Sequence, residues 1–366
     1  MTQPTTGPDD GPTPGTSAEV SDLGERPGVS YVMPVLNEVV HVEAAIASLL
    51  DQDYEGPFDV IVALGPSIDG TTELVERLSA VDPRIRVIEN PTGSTPSGLN
   101  VAILASQYPI VVRVDAHSLL PRDYTRIAVE AMLRTGAANV GGIMKAEGTT
   151  PFETAVAIAY GSKAGLGGGA HHVGGEEGPA ETVYLGVFRR EWLTRVGLFN
   201  EDIRRGQDWE LNRRLRAAGG VVWFTPRLVV TYRPRPSLER LVRQFFSTGL
   251  WRGELARRFF SANALKYFVP PVTVAVVVLG LLAGIAGVVT TAAGGAAGPW
   301  LLLGFVVPAV YALFVIATAL GAARQAGGRT GALFLVVLPC IHFSWGLGFI
   351  LGFLTLTKNI TAHTGR

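Results

Sequence analysis

Residues 111–120 read VVRVDAHSLL. Three valines suit a buried strand, yet the run holds Arg113 and then leaves through Asp115, Ala116 and His117. Residues two apart in an extended chain point the same way, so Asp115 and His117 share a side. A carboxylate and an imidazole at a strand end are donors for a hard divalent cation, Mn2+ or Mg2+, which keeps water and bridges phosphates. A carboxylate capping a turn would leave the same sequence. A second stretch, NPTGSTPSGLNVAILAS (90–106), sets a Gly/Ser/Thr loop before a helix. Backbone amides at a helix N-terminus suit an anion, and Asn100 on that helix is placed to face it.

The elements that must position these residues are legible in the apolar runs. VSYVMPV (29–35), FDVIVAL (58–64), IRVIEN (85–90), IVVRVDA (110–116) and AANVGGIM (137–144) read as strands. Helical patterns such as EVVHVEAAIASLLDQ and TTELVERLSAV lie between them. This alternation predicts an α/β domain with a mostly parallel, helix-covered sheet over residues 29–236. Ligands of such sheets bind at the carboxyl ends of the strands. Residues 1–28, rich in Pro, Gly, Thr and Asp, are expected to be a disordered tail, and they lack the apolar core of a secretory signal.

The formal net charge is zero, which gives no field for nucleic acid. The single cysteine, Cys340, excludes a disulfide framework within the chain and fits a reducing compartment. The hydrophobic fraction is high, at 48%. From Phe268 to Arg366 there is no Asp or Glu. Apolar stretches near 268–291, 300–322 and 331–357 each reach the ~20 residues a crossing helix needs. They predict a transmembrane region over 267–366 with about three helices.

Between Arg227 and Lys266 stand nine Lys/Arg and two Glu, a local charge of 9 − 2 = +7. Arg324 and Arg329 occupy a later loop. The positive-inside rule then predicts a multi-pass cell-membrane protein with a cytoplasmic catalytic domain. Residues 237–266 join the two regions. Ser237 is a candidate N-cap, and Leu238, Leu241, Val242, Phe245 and Phe246 recur at helical spacing beside Arg240 and Arg243. This segment is expected to be a basic amphipathic helix lying among membrane lipid headgroups. An ordinary helix packed on the domain is the alternative.

Taken in order, the motifs resemble family 2 glycosyltransferases of the GT-A fold, and more narrowly membrane-attached glucosyltransferases of the succinoglycan exopolysaccharide type. VSYVMPVLNEVVHVEAAIASLLDQDY is similar to the opening strand, Pro-x-x-Asn-Glu turn and first helix. GPSIDGTTELVERL resembles the Ser-x-Asp-Gly-Thr turn, and VRVDAHSLLPRDY the metal-binding Asp-x-Asp in an Asp-Ala-His form. RRGQDWELNRRLRAAGG resembles the Glu-Asp-x-Glu-Leu block. QFFSTGLWR is a looser echo of a Gln-containing motif ending in Trp-Arg. The resemblance covers about residues 29–260.

It implies a Rossmann-like, mixed but mostly parallel catalytic domain and an inverting transfer from a nucleotide-sugar donor, a UDP-hexose, to a polyprenyl-linked saccharide. Pro34, Asn37, Glu38, Ser67, Asp69, Asn100, Arg113, Asp115, Trp251 and Arg252 would bind the nucleotide sugar. Asp115 and His117 would hold Mn2+ or Mg2+. Asp208 would be the base, because a hydroxyl attacks well only as a carboxylate takes its proton. The chain departs from the pattern at Leu64-Gly65, where an acidic pair is usual, and at Gln207, where the first acid of the pair is missing. Glu210 and Arg213 are expected to be structural. The glycine-dense stretch 161–190 reads as a lid, with His171 and His172 facing opposite ways and Gly186 leaving room for a sugar. Trp251 has a competing reading as a membrane-interface anchor. Two further readings are open: direct transfer to a polyprenyl phosphate, and a non-catalytic scaffold that keeps the fold. A transporter is disfavoured, since the apolar helices carry no acid for a pathway.

Overall fold

The computed structural model describes residues 23–167, 169–260 and 262–355. Most of the expected N-terminal tail lies outside them. Eight strands form one sheet: β1 (Val29–Val35), β2 (Phe58–Leu64), β3 (Ile85–Glu89), β4 (Ile110–Arg113), β5 (Asn139–Ala146), β6 (Gly178–Pro179), β7 (Tyr184–Arg189) and β8 (Val222–Tyr232). The helices of the same domain are α1 (Val42–Leu50), α2 (Thr71–Val81), α3 (Thr95–Ala105), α4 (Tyr124–Thr135), α5 (Pro151–Tyr160), α6 (Ala170–Val173), α7 (Arg190–Arg195) and α8 (Gln207–Ala217).

The strand order is β3-β2-β1-β4-β7-β5-β8-β6. Strands β3, β2, β1 and β4 are mutually parallel, as are β5 and β8; β7 runs antiparallel between β4 and β5. The expected mixed, mostly parallel sheet is what the chain adopts. Strand β1 is buried along its whole length, the mark of a central strand covered on both faces. Tyr31, Met33, Val60, Val62 and Val112 pack on one face with α1 and α4. Val32, Ile61, Ala63 and Val111 pack on the other with α3 and α8. Helix α1 starts at Val42, after the first four residues of the pattern EVVHVEAAIASLLDQ, because Asn37 takes a left-handed φ of 54° and the chain turns before it coils.

Beyond the sheet come α9 (Leu238–Arg258), α10 (Val269–Ala292), α11 (Gly298–Leu302), α12 (Val306–Ala326) and α13 (Gly328–Phe353). Three helical stretches, Leu265–Ala292, Gly298–Ala326 and Gly328–Phe353, are long and apolar enough to cross a membrane. Their surroundings differ. Helices α10 and α12 turn large apolar side chains outward, Leu279, Leu282, Val289 and Leu313 among them. Helix α13 packs on both sides: Phe334, Val337, Leu338 and Ile341 cluster with Ala155, Val156 and Ala159 of α5, with Leu241 and Phe245 of α9, and with Val315, Ala319 and Ala322 of α12.

Helix α9 is capped by Ser237, whose side chain accepts from the Arg240 amide, as its sequence indicated. Its buried face goes to α13, while Leu238 and Val242 stay exposed. The two helices touch backbone to backbone. A methyl added at Gly249 would overlap the Trp345 carbonyl oxygen, and one at Gly253 that of Phe349. From the other side, Gly348 abuts the Phe246 carbonyl and Gly352 that of Leu250. A close helix pair of this kind needs small residues at the contact. Gly253→Val and Gly348→Leu are therefore each expected to destabilise the protein by ~1–3 kcal/mol, read as a lower melting temperature in detergent. Gly321→Ala, at an open α12 position, should leave it unchanged.

Candidate active site

Arg113 is the last residue of β4. Alternation sets Val112 against α1 and α4, so Val111 and Arg113 point to the opposite face, toward α8. There Nη1 of Arg113 pairs with Oδ1 of Asp208, and Nη2 donates to Oδ1 of Asp115 at 3.0 Å. The Arg113 side chain is 8% exposed, that of Asp115 21% and that of Asp208 39%. A sealed cation thus fixes two acids that open progressively to the cleft. Burial works against the charge on Arg113, but the Asp208 and Asp115 carboxylates outweigh it and raise its pKa above the usual value. Asp208 lies in the first turn of α8, after Gly206 at φ 79°, where the helix dipole favours an anion. Arg113, Asp115 and Asp208, far apart in sequence, are brought together.

Two loops close over the carboxyl ends of β1 and β2. The Asn37 amide donates to Ser67 Oγ at 3.0 Å, and the Ile68 amide to Asn37 Oδ1 at 2.9 Å. Asp69 accepts from the Val39 amide at 3.2 Å, from the Thr71 amide at 3.1 Å and from the Thr71 hydroxyl at 2.5 Å. The Thr71 hydroxyl is the largest influence holding its carboxyl below the usual range; desolvation opposes it, and the Val39 and Thr71 amides add to the lowering. Asp69 is thereby a clamp between the loops. Thr71, fully buried, also accepts from the Glu38 amide at 2.9 Å; its position at a helix start was its sole signal. Oε1 of Glu38 stands 3.3 Å from Nδ1 of His117, tying the first loop to the Asp-Ala-His turn. Pro34 lies within β1 rather than ending it, beneath Gly98 of α3. At Gly65 the departure from the acidic pair has a steric reason. A Cβ there would sit 3.1 Å from both Leu36 and the Gly93 Cα.

Other expected residues serve the scaffold. Asn100 donates to the Phe199 carbonyl and to Glu201, each at 2.9 Å, and accepts from the Phe199 amide. Its amide group is spent on the loop leading to α8, not turned toward an anion. Glu210 is buried and paired with Arg214 at 2.7 Å, and Arg213 covers the Phe259 ring at 4.1 Å, so both are structural, as expected. Trp251 is 3% exposed among Ile203 and Leu255, away from lipid. The space beside Gly186 is filled by the Phe188 ring and Asn139 and leaves none for a sugar. Asn139, which the strand pattern hid, donates to Asn212 of α8 at 2.7 Å, and Asn212 to Thr182 at 3.0 Å.

A cavity of about 1660 Å³ lies between the catalytic domain and helices α10, α12 and α13. Its lining includes the polar or charged Arg252, Lys266, Glu181, Lys163, His171 and Trp209, and the apolar Val272, Val276, Val310 and Phe314 of α10 and α12. His171 and His172 sit in the short α6, not in an extended chain. Their rings stand 4.2 Å apart and both line the cavity. Trp209 and Lys266 carried individual signals only in hindsight: one follows Asp208, the other closes the basic segment.

The fold and the site define a GT-A glycosyltransferase: a nucleotide-type α/β sheet with an Asp-Ala-His turn and a helix-borne acid joined at its carboxyl edge. Residues 30–197 match the Glycosyl transferase family 2 model. The chain is 32% identical over 321 residues to the Succinoglycan biosynthesis protein ExoA of Rhizobium meliloti (strain 1021), covering 87% of this chain and 92% of that protein. It is 23% identical over 240 residues to the dolichyl N-acetyl-alpha-D-glucosaminyl phosphate 3-beta-D-2,3-diacetamido-2,3-dideoxy-beta-D-glucuronosyltransferase of Methanococcus voltae, covering 63% and 74%. The mannosyltransferase PcManGT of Pyrobaculum calidifontis, solved with GDP-Man and Mn2+, shares the fold at a TM-score of 0.56 and 19% identity, over 91% of this chain and 90% of that one. The chain belongs to glycosyltransferase family 2.

Burial pushes the His171 imidazole down to about 4, helped by the Arg252 and Lys266 charges. Burial likewise lowers His172 to about 3, with His171 adding to it. Unfolded, both would titrate near the ordinary 6.5. Below that pH the unfolded chain binds protons that the folded chain refuses, so stability is complete above 6.5 and falls toward pH 4. Melting temperature measured across this range should decline with acid, and His172→Asn should flatten the decline.

Proposed function

We propose that the protein is an inverting enzyme that moves a hexose from a nucleoside diphosphate donor, UDP-glucose first among candidates, to a lipid-linked saccharide in exopolysaccharide or cell-envelope glycan synthesis. One observation carries the reading: Arg113 joins Asp115 and Asp208 at the sheet edge, and Trp209, next to Asp208, lines an amphipathic cavity against apolar helices. The names of the two relatives, one in succinoglycan synthesis and one acting on a dolichyl-linked sugar, support the acceptor class. The GDP-Man and Mn2+ of the mannosyltransferase support the donor class and a metal.

Asp115 and His117 would hold a divalent cation, Mn2+ or Mg2+. Among the described residues no three His, Cys, Asp or Glu gather at one point. That suits an ion that takes one or two side chains and completes its shell with phosphate and water. Such an ion supplies charge to the departing diphosphate. Asp208 accepts the proton of the acceptor hydroxyl as that oxygen attacks the anomeric carbon from the face opposite the diphosphate. Arg113 aims the carboxylate and ties its position to Asp115. The paired loops clamped by Asp69 and Asn37 shape the nucleotide side.

The test is nucleotide release by purified protein with UDP-glucose, Mn2+ or Mg2+ and a native polyprenyl-lipid extract. Metal-dependent release with a glycosylated lipid product is expected. Asp208→Asn should lower kcat by ~10²–10⁴-fold, and Asp115→Ala should abolish metal dependence along with turnover. Arg113→Lys, which cannot fork to two carboxylates, should fall between wild type and Asp208→Asn. Release that survives Asp208→Asn would place the base elsewhere. A product carrying one sugar directly on polyprenyl phosphate would favour the synthase reading.

The basic flank of the catalytic domain supports a cytoplasmic location for it, with α10 and α12 in the bilayer. Helix α13 is better placed at the membrane surface than across it. Its neighbour α9 carries Arg243, Arg252, Arg257 and Arg258, which hydrocarbon around the pair would bury at high cost. On this reading two of the three helices that are long and apolar enough to cross would do so. In a Cys340→Ala background, an impermeant maleimide should reach Gly295→Cys from outside right-side-out vesicles and Thr355→Cys only in inverted ones. Labelling of Thr355→Cys from outside would restore the third crossing.

A further inference from the structure

We propose that Arg252 binds the phosphate of the lipid-linked acceptor, inside the cavity between the catalytic domain and helices α10 and α12, and not the diphosphate of the donor. The inference rests on the lipid-acceptor reading above and assigns the acceptor's anionic group to a residue.

The first argument is placement. Arg252 lines the cavity with Lys266 and Trp209. Its guanidinium stands 4.4 Å from the Tyr267 ring and 5.4 Å from that of Trp209. The donor-side residues Glu38, Asp69, Arg113, Asp115 and His117 are absent from the cavity wall. Arg252 therefore faces a space other than the one the nucleotide loops enclose.

The second argument is an unmet demand. Nη1 of Arg252 is sealed from solvent with no hydrogen-bond partner among the described residues. The nearby acids are committed elsewhere. Glu181 pairs with Lys266, and Glu254 with Arg257 and Arg258. Burial lowers the pKa of Arg252, only partly offset by Tyr267 and Glu181. Its two aromatic neighbours offer ring faces but no anion. A buried guanidinium without a carboxylate partner is costly to keep, unless an anion arrives to fork across it.

The third argument is shape. The same cavity is lined by Val272, Val276, Val310 and Phe314 of α10 and α12, suited to an isoprenoid chain. A phosphate held at Arg252 would leave that chain among the valines. The sugar beyond the phosphate would then lie against Trp209, one residue from Asp208. A free nucleotide has no tail to meet that apolar lining.

Binding separates the possibilities without turnover. Purified protein would be titrated with polyprenyl phosphate and with the uncharged polyprenol, each in neutral detergent micelles, and separately with UDP. Wild type should prefer the phosphate by about tenfold, the value of one charged hydrogen bond. Arg252→Gln should erase that preference and keep the affinity for UDP. Arg252→Lys, which keeps the charge, should retain most of it and guards against a folding defect. A fall in UDP affinity with the lipid preference intact would return Arg252 to the donor and overturn the proposal. No change in either titration would overturn it too. Wild type that does not distinguish phosphate from alcohol would sink the acceptor reading itself, so the two failures are told apart.

Discussion

A guanidinium buried at the end of a sheet strand has to be paired, and Arg113 is paired twice. That requirement fixes the geometry on which the site depends. Asp115 is two residues along the same strand end, but Asp208 comes from the first turn of α8, 95 residues later. Holding α8 there falls to Asn139 and Asn212, to the Gly206 turn, and to Asn100, which pins the preceding loop. These residues touch no reacting group. They set where the carboxylate of Asp208 stands relative to Arg113 and Asp115.

The same logic runs through the nucleotide side. Asp69 accepts from the Val39 amide and Asn37 Oδ1 from the Ile68 amide, so each side chain ties its own loop to the other. Toward the membrane, fixation is steric. Glycines on α9 and α13 let two backbones touch, and the contact joins the catalytic domain to the apolar helices without a flexible hinge. The cavity between them is lined by charged groups such as Arg252 and Glu181 together with apolar side chains of α10 and α12.

Much of this was legible beforehand. Strands β1 and β2 have the residue bounds that their apolar runs indicated, because strands buried on both faces need uninterrupted hydrophobic sequence. The order of the motifs named the family, since each is local: a turn, a strand end, a helix start. Asp115 and Asp208 could be singled out for the same reason. What stayed hidden was long-range. Asn100 was misplaced because an amide on a helix near an anion loop and an amide pinning a distant loop look alike in sequence. Gly186 was misread because the ring that fills its space, Phe188, lies on the same strand and folds back over it. The amphipathic pattern of α9 was correct, yet periodicity shows that a face is apolar, not what covers it.

The sequence by itself determined the elements, the family and the two acids, because local hydrogen bonding and alternating burial leave their mark on neighbouring residues. Only the tertiary structure decided that Arg113 joins those acids, that α13 packs on α5, α9 and α12, and that Arg252 lines a cavity shared with α10 and α12. Each of these depends on which distant surfaces meet, and pairing energies across such distances are not written in any one stretch of chain.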